Sequence, residues 1–292
     1  MAKAAIPTYD ICSLVMGKPN QEDVVVARFS DYLATHRDIH FPHRHSFYHL
    51  ALFTSGKGTH TIDFERFSVE PGQLYFMVPG QVHGWYFEGQ LEGYVINVSP
   101  GFFNVFLKDA DYIERFPFLS GVATEGVVQL SPGHVPEIAH LFENMLKEVC
   151  TDQPYNLDML RLLLLELFIK VGRFTHHDQV KQEMLHNNLL LRNFRKLVEQ
   201  HYMQQRLPKD YAAMLYVTPN YLNAFCQHML GKSAGEVIRD RVLLEAKRLL
   251  VMADTSISSI AYQLNFADNS YFTKFFRKYA GVTPEEFRKN II

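Results

Sequence analysis

The chain is predicted to be α+β, with a β-barrel and a pair of helices in its first part and an all-α second part in which a long helix joins two helix-turn-helix units. Three observations predict this. Short runs rich in β-branched and aromatic residues, punctuated by Gly and Pro, occupy residues 24–98, where many short strands with tight turns indicate a sandwich or small barrel. From about residue 135 the apolar spacing becomes helical. A helix-turn-helix pattern then occurs twice, at an offset of 49 residues before the turn and 50 after it.

The runs at 24–29, 48–54, 59–64, 74–78, 83–87 and 94–98 read as strands, with Gly56, Gly58, Pro71-Gly72, Pro79-Gly80 and Gly89 as turns between them. His43, His45 and His49 share strand parity and are expected to face the barrel interior together, with His83 reaching them from a facing strand. Four imidazoles have the donor chemistry for Zn²⁺, Ni²⁺, Cu²⁺ or Fe²⁺. The preferred expectation is a pocket without a resident cofactor or metal, in which Tyr75, Met77, Trp85 and Tyr94 join the histidines around a small-molecule effector. Its identity is not written in the sequence.

Val135, Ile138, Phe142, Met145 and Val149 mark one helix face. Leu157, Leu160, Leu164, Leu167 and Val171 recur at alternating spacings of three and four, a seam suited either to the domain's own core or to a second copy of the chain. Residues 176–188 are polar and unpatterned and read as a linker, with His176-His177 solvated.

In the second part, Ile257, Ile260, Ala261 and Leu264 form one apolar helix face; Phe272, Phe275, Phe276 and Tyr279 form the next, and Asn265-Phe266-Ala267-Asp268 turns between them. Asn tolerates a left-handed backbone, and Asp268 can cap the second helix. Ala212, Leu215, Val217, Tyr221-Leu222, Phe225, Gly231 and Ser233 repeat as Ala261, Leu264, Phe266, Tyr271-Phe272, Phe275, Gly281 and Thr283. Each copy closes with Gly and a capping box, Ser233 to Glu236 and Thr283 to Glu286. Residues 233–252 read as one helix of roughly 30 Å, long enough to set two recognition helices in successive major grooves of double-stranded DNA.

Length and composition agree with two soluble domains: 292 residues, 47% hydrophobic and 21% charged. The net charge of −2 divides into +6 from residue 190 onward and −8 before it, as expected of a nucleic-acid-binding module fused to a non-binding one. Cys12, Cys150 and Cys226 form no CxxC pair, which argues against a disulfide framework or a zinc ribbon. The N-terminus has no signal-peptide pattern and no run approaches a membrane span, so a cytoplasmic protein without membrane contact is expected.

Residues 189–292 resemble the DNA-binding domain of the AraC family of bacterial transcription regulators, departing from its pattern mainly at Asn265, where the family usually has Gly, and at Ala224, where a polar or basic residue is more usual. The resemblance implies base-facing roles for Asn220, Asn223 and Gln227 in the first recognition helix and for Asn269, Ser270, Thr273 and Lys274 in the second, with Arg277 on phosphate. The histidine segments, with Gly56, Gly72 and Pro79-Gly80, resemble the two motifs of cupins and the sensory domain found ahead of many AraC-type DNA-binding domains, except that His49 stands where cupins usually carry Glu and Phe87 where they carry Asn or a similar group. This implies a cupin-like ligand-binding and dimerisation domain at 1–175, a linker at 176–188 and a DNA-binding domain at 189–292. It also implies a homodimer through the 157–171 helix, a promoter-bound activator, RNA polymerase as a partner and no enzymatic activity. Two alternatives stand beside it, a metal-dependent cupin enzyme with a helical appendage and a constitutive DNA-binding protein with a structural barrel.

Overall fold

The computed structural model describes residues 6–14, 23–36, 41–107, 112–151, 153–175, 183–251 and 255–291. The chain divides into two compact units, one of them Pro7–Gln179 and the other containing Val180–Ile292.

In the first unit eight strands make one sheet: β1 (Thr8–Tyr9), β2 (Val24–Arg28), β3 (His43–His45), β4 (Tyr48–Ile62), β5 (Glu65–Val69), β6 (Gln73–Met77), β7 (Val82–Val98) and β8 (Val127–Gln129). The path runs β1-β3-β7-β4-β6-β8, with β2 added to β7 and β5 to β4. The runs expected as four short strands at 48–54, 59–64, 83–87 and 94–98 are two long bent ones, β4 and β7, paired along most of their length. Gly56, Gly58 and Gly89 therefore do not end strands. The bend lies where the β4–β7 register shifts between Phe53 and Lys57. A side chain at Gly58 or Gly93 would collide with the backbone of Tyr86 or Leu52 on the paired strand.

The sheet is apolar on both faces. Leu50, Leu52, Leu74, Phe76, Ile96 and Val98 pack outward against α2 (Val135–Cys150) and α3 (Asn156–Thr175). Phe47, Ala51, Phe53, Tyr75, Met77, Trp85 and Val95 point the other way, where Phe29 and Tyr32 of α1 (Phe29–Thr35) join them. Burial of each large side chain contributes about 1.5–3 kcal/mol. Tyr94, expected in the inner pocket, lies on the outer face with its even-numbered neighbours Ile96 and Val98; its hydroxyl donates to Glu143 at 2.5 Å, beside the Arg28–Glu143 ion pair at 2.8 Å.

Helix α3 takes the first of the two uses open to its seam. Leu160, Leu164, Leu167 and Val171 are fully buried within their own unit and Leu157 packs against the same core, so the seam has no face left for another copy. The apolar residues it turns to solvent are Met159 and Leu162, 46% and 49% exposed. Among the described residues no helix is long and apolar enough to cross a membrane.

The second unit comprises α4 (Glu183–His201), α5 (Pro208–Met214), α6 (Pro219–Leu230), α7 (Ala234–Leu250), α8 (Ile257–Gln263), α9 (Asn269–Ala280) and α10 (Pro284–Ile291). Helix α4 begins inside the stretch expected as linker, so residues 183–188 are helical, while His176-His177 lie outside the described residues. Helix α7 is 17 residues long, about 25 Å of axis rather than 30. It is the centre of the unit more than a spacer, because none of its residues is exposed and Ile238, Val242, Ala246 and Leu250 lie in the core shared by both repeats.

Candidate functional site

The repeat is a backbone repeat as well as a sequence one. Tyr216 and Asn265 both take a left-handed φ, 56° and 57°, and the residue after each donates back into the preceding helix, Val217 N–H to Ala212 C=O at 3.0 Å and Phe266 N–H to Ala261 C=O at 2.9 Å. Thr218 and Asp268 then cap the recognition helices by accepting from the Tyr221 and Tyr271 amides at 3.1 and 2.7 Å. Gly231 and Gly281 end those helices with φ of 68° and 80°. Both capping boxes form, Ser233 with Glu236 and Thr283 with Glu286. Helices α5–α6 and α8–α9 are thus two copies of one device, each using Phe or Leu side chains at equivalent positions to hold its second helix against the core: Leu222 and Phe225, Phe272 and Phe275.

The opposite faces are polar. On α9, Asn269, Ser270, Lys274 and Arg277 are exposed, with Lys278 beside them and Thr273 half-buried. On α6, Asn220 and Gln227 are exposed, and the Gln227 side chain donates to the Gly231 carbonyl at 2.9 Å. Asn223 is half-buried, and its amide oxygen accepts from the Ala234 N–H at 3.1 Å, which ties the start of α7 to α6. Tyr221 and Tyr271 also stand on these faces, 46% and 57% exposed, although the sequence reading placed them only as matched positions of the repeat. Several cations of this unit serve the fold instead. Arg288 donates to the Leu250 and Thr255 carbonyls, Arg206 to that of Leu264, and Arg241 pairs with Glu199 and Glu245.

In the first unit the sheet gathers its histidines. His43 and His83 are directly paired on the adjacent strands β3 and β7, and not on facing strands as expected. His43, His45 and His83 each offer a ligand atom within 4.8 Å of the others, and all are buried. His49 is buried next to them, its ring centre 5.1 Å from that of His45 and 5.4 Å from that of His83, but it is outside the tight group and its Nδ1 lies 2.7 Å from the Asn97 amide oxygen. A fifth imidazole, His60, was not anticipated. Its ring stacks on Trp85 at 3.3 Å, and its Nε2 is 3.0 Å from His83 Nδ1. Strand parity counted from His49 puts residue 60 outside; the register shift between Phe53 and Lys57 reverses that parity and turns it inward, paired with Trp85. Tyr75 closes the same wall, its ring 4.8 Å from His60 and 5.4 Å from Trp85.

Burial keeps these rings neutral. Desolvation pushes His43 and His49 down to about 4, against an ordinary 6.5, with the Phe41 carbonyl and Asn97 opposing it in part, and it holds His45, His60 and His83 well below 6.5. Three buried ring nitrogens, His45 Nδ1, His49 Nε2 and His60 Nδ1, have no hydrogen-bond partner. The unfolded chain, whose histidines titrate near 6.5, binds more protons than the folded one between pH 6.5 and 4, so stability is full above that window and is lost as pH falls through it. For either His43 or His49 the change is on the order of 3 kcal/mol. Thermal melts in the presence of a chelator, followed by fluorescence of Trp85, the chain's single tryptophan, are expected to show a midpoint falling steeply from pH 6.5 to 4.5; a flat profile would refute this.

Comparison with known families settles what carries these two features. A model described as an AraC-like ligand binding domain matches residues 29–168, and one described as a helix-turn-helix domain matches residues 211–290. The chain belongs to the AraC family. It is an AraC-type ligand-binding, DNA-binding transcription regulator and not an enzyme, which removes the metal-dependent enzyme as an alternative. Among curated relatives, an uncharacterized transcriptional regulatory protein, YesN of Bacillus subtilis, is 33% identical over 131 residues, 41% of this chain and 35% of that protein. The chain thus spans about a third of that relative's length. The transcriptional activator RhaR of Yersinia pseudotuberculosis is 21% identical over 255 residues, 86% of this chain and 85% of the relative. Among solved structures, the unsaturated fatty acid bound ToxT of Vibrio cholerae aligns over 93% of this chain and 97% of its own at 13% identity, with a TM-score of 0.44.

Proposed function

We propose that this AraC family regulator is a ligand-responsive activator whose two recognition helices read successive major grooves of a promoter, and whose barrel interior, lined by His43, His45, His49, Tyr75, His83 and Trp85, takes the effector. The observation that carries the DNA half is the duplicated device: two helices with the same turn, cap and stop, each turned polar side out. In this reading Asn220, Asn223 and Gln227 address one groove, Asn269, Ser270, Thr273 and Lys274 address the next, and Arg277 neutralises phosphate. Activation is suggested by the name of the RhaR relative, and an activator requires RNA polymerase as a partner. Effector binding and dimerisation belong to residues 1–175 and DNA binding to residues 189–292, with the connecting segment shortened at its end by the start of α4. Hydroxyl-radical footprinting of the DNA upstream of the gene tests this. Two protected patches about 10 bp apart on one face are expected, and a single patch would contradict the two-groove reading.

The homodimer is assigned to α3, but through the side its own core leaves uncovered, Met159 and Leu162, with Leu165 and Ile169 half-buried beside them. Leu162→Glu is expected to leave the melting temperature within about 2 °C, because the side chain is exposed, while turning a dimer into a monomer in sedimentation equilibrium. An unchanged dimer would remove α3 from the interface.

A further inference from the structure

We propose that the effector is a divalent transition-metal ion, held by His43, His45 and His83 with His49 as the fourth donor. The inference rests on the ligand-responsive reading above and names the chemical class of the ligand.

The sequence alone favours a pocket without metal, but the donor set that the fold assembles fits an ion. Two nitrogens bound tetrahedrally at about 2.0–2.1 Å to one ion lie roughly 3.4 Å apart. His45 Nε2 and His83 Nε2 are 3.4 Å apart, longer than a good hydrogen bond, and with His43 they form a group whose ligand atoms all lie within 4.8 Å. The lone pairs are already set. The Phe41 carbonyl, 2.7 Å from His43 Nδ1, can only accept, so Nδ1 carries the proton and Nε2 is bare. Asn97 does the same to His49: its amide nitrogen donates to the Tyr32 hydroxyl at 3.2 Å, which fixes its oxygen as the acceptor for His49 Nδ1–H and leaves His49 Nε2 buried with no partner. His60 stands 3.0 Å behind His83 Nδ1, placed to accept its proton and to free His83 Nε2 in turn. An oxygen behind the far nitrogen, as His43 and His49 have, is how metal-binding histidines are oriented, whereas His45 Nδ1 has no such partner. A purely structural cluster explains the burial, but it leaves the bare His49 Nε2 as a cost of about 1–3 kcal/mol with no return.

The same donors narrow the ion. No carboxylate belongs to the group, so hard cations such as Mg²⁺ and Ca²⁺ are disfavoured, and imidazole suits Zn²⁺, Ni²⁺, Cu²⁺ or Fe²⁺. Four neutral ligands leave the ion's charge uncompensated inside the barrel. That weakens binding relative to a site with a carboxylate and suits an ion that comes and goes.

The test uses the full-length protein, stripped with chelator and dialysed, and titrated with CoCl₂ and then ZnCl₂. Trp85 reports the site: its ring centre is 6.0 Å from that of His83 and 3.3 Å from that of His60. One equivalent of Co²⁺ is expected to quench its fluorescence and to give the visible bands of a tetrahedral nitrogen site, and Zn²⁺ is expected to reverse both. His43→Gln and His83→Gln should each weaken uptake at least tenfold, whereas His140→Gln, at an exposed position on α2, should not. A polar substitution in the interior can unfold the barrel, so each variant is melted first, and the wild-type Co²⁺ spectrum decides the matter without them. In the same samples the affinity for upstream DNA is measured with and without Zn²⁺, and a change of tenfold or more is expected. Specific DNA binding with no Co²⁺ quenching overturns the metal site and leaves the regulator reading intact. Uptake of metal with no DNA binding overturns the regulator reading and leaves the site. Uptake with an unchanged DNA affinity overturns the ion as effector.

Discussion

Phe276→Ala is expected to destabilise the C-terminal unit by about 3–5 kcal/mol and to abolish DNA binding at 37 °C. The Phe276 ring is fully buried under α9, in aromatic contact with Phe272 at 6.0 Å and with Phe287 of α10 at 5.3 Å, in an edge arrangement. Removing it opens a void where α9 and α10 meet the shared core. A whole domain is stable by only about 5–15 kcal/mol, so the variant sits near the unfolding threshold. Urea unfolding followed by circular dichroism checks this. A loss below about 1 kcal/mol would mean that the aromatic stripe does not hold the recognition helix in place.

Replacing Lys274 and Arg277 together by Ala is expected to weaken DNA binding about tenfold to a hundredfold, the loss of Arg277 alike for target and scrambled duplex and that of Lys274 more for the target, and to lower the slope of log K against log salt by at least about 0.9. Both side chains are exposed on α9, so their loss leaves the fold unchanged. Asn269→Ala should behave differently, costing about 1–3 kcal/mol at particular bases with the salt slope unaltered. Helix α6 has no equivalent of this pair, because Ala224 and Gln227 stand 50 residues before Lys274 and Arg277. Charge neutralisation is thus weighted toward the second recognition helix. Parallel substitution of Asn220 and Gln227 should change base preference more than salt dependence.

The C-terminal unit was legible in the sequence because each of its signals is local. A capping Ser or Asp, a C-terminal Gly and an apolar stripe act within a few residues of one another, and the turn, caps and capping boxes all form where the residues place them. The β-rich unit was legible only in outline. Its strands were recognisable by composition, but Gly56 and Gly58 signal a turn and a bulge equally well, and only pairing with β7 decides between them. From that one ambiguity follow both the merging of the strands and the missed inward turn of His60. Tyr94 was misplaced for a simpler reason, since counting parity along β7 from His83 and Trp85 already sends an even-numbered residue outward. The leucine seam of α3 was read correctly as apolar, yet periodicity does not say which core it enters, and its own unit buries it.

The most direct test of the regulator reading is the equilibrium binding of the full-length chain to the DNA upstream of its own gene and to a scrambled duplex of equal length, at low and at moderate salt. Binding to the upstream DNA at least a hundredfold tighter than to the scrambled duplex, with the difference persisting at moderate salt, is the predicted result. Equal affinities that vanish together as salt rises would mean contact with the phosphate backbone alone, and would contradict a sequence-reading role for α6 and α9.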